Sequence, residues 1–180
     1  GVLVGQPLNS LVALEESTIK TVADFKGRKI GYSVSGFEEA VLGAMLESAG
    51  LSLKDVTLVN VNFALTTALM SKQVDGVIGA FRNFELNDLE INKAKGRLWL
   101  VEKHGVPTYD ELILVAKRET VDVGRTKRLL AAIAEATAWI KANPAEGWAL
   151  FAKYGKEFDN ELNKLAWKDT VPLLADAPAS

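Results

Sequence analysis

The spacing of apolar residues changes several times along the chain, and each change marks an element. Lys29-Ile30-Gly31-Tyr32-Ser33, introduced by a turn at Lys26-Gly27, predicts a short strand. From Ser35 to Ala49 the apolar positions Val41, Leu42, Met45 and Leu46 recur at helical intervals, with Gly50 as the stop. Ser35 stands where a cap belongs, and Glu38 follows three residues later at capping-box spacing. Val56–Val61 predicts a second strand, Phe63–Lys72 a second helix and Val74–Ala80 a third strand. Strand and helix alternating in this way predict a parallel sheet covered on both faces.

Further strands are expected at Leu98–Glu102 and Leu112–Arg118. A long helix follows at Arg125–Ala142, then one opened by Pro144 and running to about Tyr154, and a last one from Asn160 to Thr170. Ahead of all of these, Leu11–Leu14 is strand-like and has no earlier neighbour to pair with. The organisation expected is therefore α/β in three parts. Residues 1–20 form a lead-in or hinge strand of an incomplete lobe, 21–110 a compact α/β lobe, and 111–180 a return strand and C-terminal helices of the incomplete lobe.

Composition narrows the function classes. The 180 residues include 21 basic and 23 acidic side chains, a net charge of -2 that gives nucleic acid no electrostatic footing. Cysteine is absent, which excludes disulfides, thiolate metal sites and cysteine nucleophiles. No run approaches the roughly 20 apolar residues a membrane span needs, and the first nine residues do not read as a signal peptide.

Ligands of open parallel sheets bind outside the carboxyl ends of the strands. That rule nominates the loops Ser33–Glu38, Asn62-Phe63 and Ala80–Asn87. Each combines an aromatic residue with hydrogen-bonding groups, the mixture a flat heteroaromatic ligand requires. Glu85 is either an acceptor for an exocyclic amine and a ring N–H, or a solvated residue on the next helix. Asn83 either reads a ligand edge or caps that helix, and Arg82 is read as a surface charge. Glu38 is read as the partner of Ser35 in a capped helix. His104, the one histidine, has no local partner for catalysis. No metal-ligand spacing occurs, no catalytic residue is nominated and no cofactor is called for. The four tryptophans, Trp99, Trp139, Trp148 and Trp167, are expected in cores.

Several runs resemble one family: Gly31–Glu39, Val59–Phe63, Glu102–Leu112 and above all Gly79-Ala80-Phe81-Arg82-Asn83-Phe84-Glu85. They look like the NMT1-like substrate-binding proteins of bacterial ABC importers for thiamine pyrimidine precursors, without the N-terminal part of that family. The resemblance implies a periplasmic-binding-protein-like (type II) fold, one lobe complete and the second incomplete. It implies an extracytoplasmic parent protein that is not an enzyme and delivers hydroxymethyl- or formylaminomethyl-pyrimidine to a membrane permease. Glu85 would hold the aminopyrimidine edge, with Asn83, Ser35, Gly36, Phe37 and Asn62 lining the cleft. A second copy of the chain is a possible cover for the exposed cleft. The alternatives are a pyrimidine synthase on the same fold, or a binding protein of that fold for another small ligand.

Overall fold

A computed structural model describes residues 1–176. The chain divides into two compact units. One comprises Pro7–Thr108, the other Gly1–Gln6 with the chain from Tyr109 on. The alanine-rich tail read at the C-terminus lies, from residue 177, outside the described residues.

The first unit is built on a five-stranded sheet. Strand β1 (Val2–Val4) belongs to the other unit. The sheet contains β2 (Asn9–Leu14), β3 (Lys29–Tyr32), β4 (Thr57–Asn60), β5 (Gly76–Phe81) and β6 (Gly96–Leu100), in the order β4-β3-β5-β2-β6. Strand β3 runs parallel to β4 and β5, while β2 runs antiparallel to both β5 and β6. The sheet is thus mixed, where alternation of strand and helix predicted a parallel one. The difference comes from β2. Every one of its six residues is buried, and a strand buried on both faces reads as a continuous apolar run rather than an alternation. The segment expected to lead into an incomplete lobe is instead an interior strand of the compact one, so the division falls at Gln6/Pro7.

Helices α1 (Phe37–Ser48), α2 (Leu65–Met70) and α3 (Glu85–Ile91) cover this sheet. Leu65, Ala68 and Leu69 of α2 and Leu89 of α3 join Val12, Leu14, Val74, Val77 and Ala80 in one cluster. Elsewhere in the core Leu42, Met45 and Leu46 of α1 are buried, as are Ile30 and Phe25. Phe25 meets Trp99 edge-on with ring centroids 5.5 Å apart. It also crosses β5 so closely that a Cβ on Gly76 would stand 2.3 Å from its ring, which fixes glycine at that position.

In the second unit β1 pairs antiparallel with β7 (Leu112–Ile113). The return strand is two residues long, shorter than the seven expected. Helix α4 (Val123–Ala142) starts at Asp122, whose side chain accepts from the Arg125 amide at 2.8 Å. Helices α5 (Pro144–Ala152) and α6 (Glu161–Thr170) follow. Trp148, Phe151, Phe158 and Trp167 form an aromatic cluster, with Phe151 stacked on Trp167 at 5.6 Å. The Trp167 indole donates to the Pro144 carbonyl at 2.9 Å. Trp99 is buried as expected, but Trp139 is 39% exposed, because α4 buries none of its residues in this chain.

Candidate functional site

Strands β3, β4 and β5 point their carboxyl ends the same way, and the loops that leave them form one linked surface. The Ser33 hydroxyl accepts from the Phe63 amide at 3.0 Å, tying the loop after β3 to the loop after β4. Asn62 and Phe63 both hold left-handed backbone, φ 47° and 65°. A bulky residue in that region is strained, and here the conformation leaves the Phe63 ring 77% exposed. Antiparallel β2 begins at this same end. Its buried Asn9 accepts the Gly79 amide at 3.0 Å.

Two carboxylates lie against the carboxyl half of β5. Glu85 opens α3, and its Oε2 accepts the Phe81 amide at 2.5 Å. Burial pushes the Glu85 carboxyl up to about 7; Asp88 and Glu38 push the same way, against the opposing bonds from the backbone. Glu38, on the first turn of α1, is 5% exposed. Its Oε2 accepts the amides of Ser33 at 2.7 Å and Val34 at 3.1 Å. Its carboxylate lies over Gly79, where a Cβ would come within 2.3 Å of Oε1.

The predicted residues are therefore placed as follows. Glu85 is half-buried and bonded to the strand end rather than solvated. Ser35, Gly36 and Phe37 form the exposed tip of the loop entering α1, and Asn62 the exposed tip after β4. Asn83 is buried and does not cap α3, whose cap position is Phe84. Arg82 is no lone surface charge: it forms a bidentate pair with Glu102, at 3.0 and 2.8 Å, both side chains about 15% exposed. Burial would raise the Glu102 carboxyl, but the Arg82 guanidinium outweighs it and holds Glu102 below the usual range. His104 lies beside Gly105, which packs against Ala44 and Ser48 in the second half of α1.

Two residues of this surface escaped the sequence reading. Asn9 was masked by the assignment of its strand to another lobe. Glu38 was read as a helix cap, whereas Glu39 fills that role: its carboxylate accepts from the Gly36 amide at 3.1 Å and reaches the Ser35 hydroxyl at 3.4 Å. The adjacency Glu38-Glu39 was the available signal, since only one of two neighbouring acids can serve the cap.

Comparison with known proteins adds the lineage. The sequence profile described as NMT1/THI5 like matches residues 1–147. A Haemophilus influenzae protein named for thiamine biosynthesis is 52% identical over 99% of the chain, and the match covers 57% of that protein. The formylaminopyrimidine-binding protein of Halalkalibacterium halodurans is 31% identical over 80% of the chain and 44% of its own length. The chain thus spans about half the length of the relatives it matches. Among solved structures, the periplasmic aliphatic sulphonate binding protein of Escherichia coli aligns over 97% of this chain and 60% of that one, with a TM-score of 0.73 at 21% identity. The fold is that of the periplasmic binding proteins, and the chain belongs to the NMT1/THI5-like family.

Proposed function

We propose that this chain recognises an aminopyrimidine of the thiamine-precursor type, hydroxymethyl- or formylaminomethyl-substituted, as the solute-binding part of an ABC importer, and that it catalyses no reaction. The observation that carries the reading is Glu85, with a carboxyl near neutrality at the end of β5. The edge of a neutral aminopyrimidine offers one donor, the exocyclic amine, beside one acceptor, the ring nitrogen. A carboxylic acid is its complement: the hydroxyl donates to the ring nitrogen and the carbonyl accepts from the amine. A carboxyl with an ordinary value would have lost that proton at neutral pH, whereas burial pushes the Glu85 carboxyl up to about 7 and so favours the protonated form. The exposed rings of Phe37, Phe63 and Phe84 on the surrounding loops supply apolar faces for a flat ring. The name of the Halalkalibacterium relative points to the same ligand class. Delivery to a permease and an extracytoplasmic location belong to the same proposal, supported by the fold shared with the periplasmic sulphonate-binding protein.

Calorimetric titration with hydroxymethylpyrimidine and formylaminomethylpyrimidine tests the reading. Replacing Glu85→Ala removes both the donor and the acceptor and should weaken binding by roughly 1–3 kcal/mol, the cost of leaving the ligand edge unmet. Glu85→Gln keeps a donor beside an acceptor and should weaken it less. Absence of binding to both pyrimidines, or binding indifferent to Glu85→Ala, would overturn it.

A further inference from the structure

Glu38 has two carboxylate oxygens and uses one. Oε2 takes both loop amides, Ser33 and Val34. Oε1 accepts no hydrogen bond among the described residues, and it is not sealed from solvent. Once water is excluded, a carboxylate oxygen on a residue only 5% exposed is costly unless a new partner meets it. The fold nevertheless goes to some length to keep it there. Residue 79 carries no side chain, which leaves room for the carboxylate. Asn9 holds the Gly79 amide, so the strand beneath it is fixed as well. Capping of α1 is delegated to Glu39, which leaves Glu38 free of that duty. Oε1 thus sits over Gly79, two residues along β5 from Phe81, where Glu85 is anchored.

We propose that Glu38 is a specificity-determining residue of the ligand site: its Oε1 accepts an N–H or O–H from the substituent of a heterocycle whose ring edge is held by Glu85. This rests on the function proposed above and adds to it the chemical class that is selected. The favoured ligand carries two separate donor groups, the exocyclic amine on the ring and a second donor on a short side arm, such as a hydroxymethyl or a formamido group. An aminopyrimidine bearing a plain methyl there would leave Oε1 buried without a partner and would be rejected. Sites built to bond a substrate hydroxyl or N–H discriminate strongly against analogues lacking it for this reason.

The test compares 4-amino-5-hydroxymethyl-2-methylpyrimidine with 4-amino-2,5-dimethylpyrimidine, on the wild-type chain and on Glu38→Gln. In the variant the glutamine carbonyl can still take the Ser33 and Val34 amides, while its NH₂ replaces Oε1 and can no longer accept. The wild type is expected to prefer the hydroxymethyl compound by at least tenfold. Glu38→Gln is expected to lose most of that preference, because the hydroxyl then meets a neutral amide donor in place of the carboxylate acceptor. The ratio is read on folded molecules, so a lower melting temperature of the variant does not obscure it. A wild type that binds both compounds alike, or a variant that weakens both by the same factor, would overturn the role of Glu38 and leave the function standing. A wild type that binds neither would overturn the function itself, and this inference with it.

Discussion

Gly79 and Glu38 occupy the same space: a Cβ on Gly79 would lie 2.3 Å from Glu38 Oε1 and 2.5 Å from its carboxyl carbon. The backbone at Gly79 is also left-handed, with φ at 93°. Glycine is required there twice over, by conformation and by contact. Gly79→Ala is therefore expected to cost about 2 kcal/mol or more in denaturant unfolding. Removing the clash by adding Glu38→Ala should recover part of that cost, a non-additivity of at least about 0.5 kcal/mol. Strict additivity would mean that the two residues do not share the space.

Glu85 makes stability depend on pH in the direction opposite to an ordinary carboxylate. Its folded value of about 7 lies above the usual 4.5, so the folded chain binds the proton more strongly than the unfolded one. Stability is then fully present below about pH 4.5 and declines until about pH 7, for this group alone. Glu85→Gln keeps an acceptor for the Phe81 amide and abolishes the titration. It should leave stability unchanged near pH 4 and raise it by up to about 3 kcal/mol at pH 8. Parallel stability–pH curves for the two proteins would show that burial does not perturb Glu85.

Much of this surface was legible in the sequence, and what was not has identifiable causes. Helices α1, α5 and α6 announced themselves through periodic apolar positions, a glycine stop, Pro144 and Asn160. The loop nominations needed only the rule that ligands sit beyond strand ends. Strand β2 misled because its direction is set by pairing with Val77–Phe81 and Gly96–Leu100, residues 65 to 90 positions away, and no local pattern encodes polarity. Arg82 misled because its partner Glu102 lies 20 residues on, beyond α3 and β6. Glu38 was visible as an acid beside an acid, but which of the two caps α1 depends on side-chain direction, and only coordinates provide that.

The pair Arg82–Glu102 should behave as a half-buried ion pair whose loss is felt through the survivor. Arg82→Met leaves the Glu102 carboxylate largely enclosed without its two donors, at a cost of roughly 1.5–3 kcal/mol. Converting both residues to Met should restore most of that, since the penalty is for a charge left alone rather than for a missing attraction. The wild-type pair holds the Glu102 carboxyl low. Its contribution is therefore present above the usual carboxylate value and is lost as pH falls through the folded one. Urea titrations of the wild type, Arg82→Met and the double variant at pH 7 and pH 3 check both statements; a double variant as unstable as Arg82→Met would refute the first.

Phe63 separates stability from binding. Its left-handed backbone costs about 1–2 kcal/mol for a residue with a Cβ, and its ring, 77% exposed, recovers little by burial. Glycine or asparagine holds that backbone at lower cost, and the proposed function gives the exposed ring a use as a face for the ligand. Phe63→Gly relieves the strain and gives back part of it as backbone entropy, leaving stability unchanged or higher by up to about 1 kcal/mol. Pyrimidine affinity should fall in the same variant by about 1 kcal/mol, the worth of one aromatic contact. Thermal unfolding and calorimetric titration of the single variant decide the matter. A variant that loses stability while keeping its affinity would make the ring a structural element and remove it from the proposed ligand contacts.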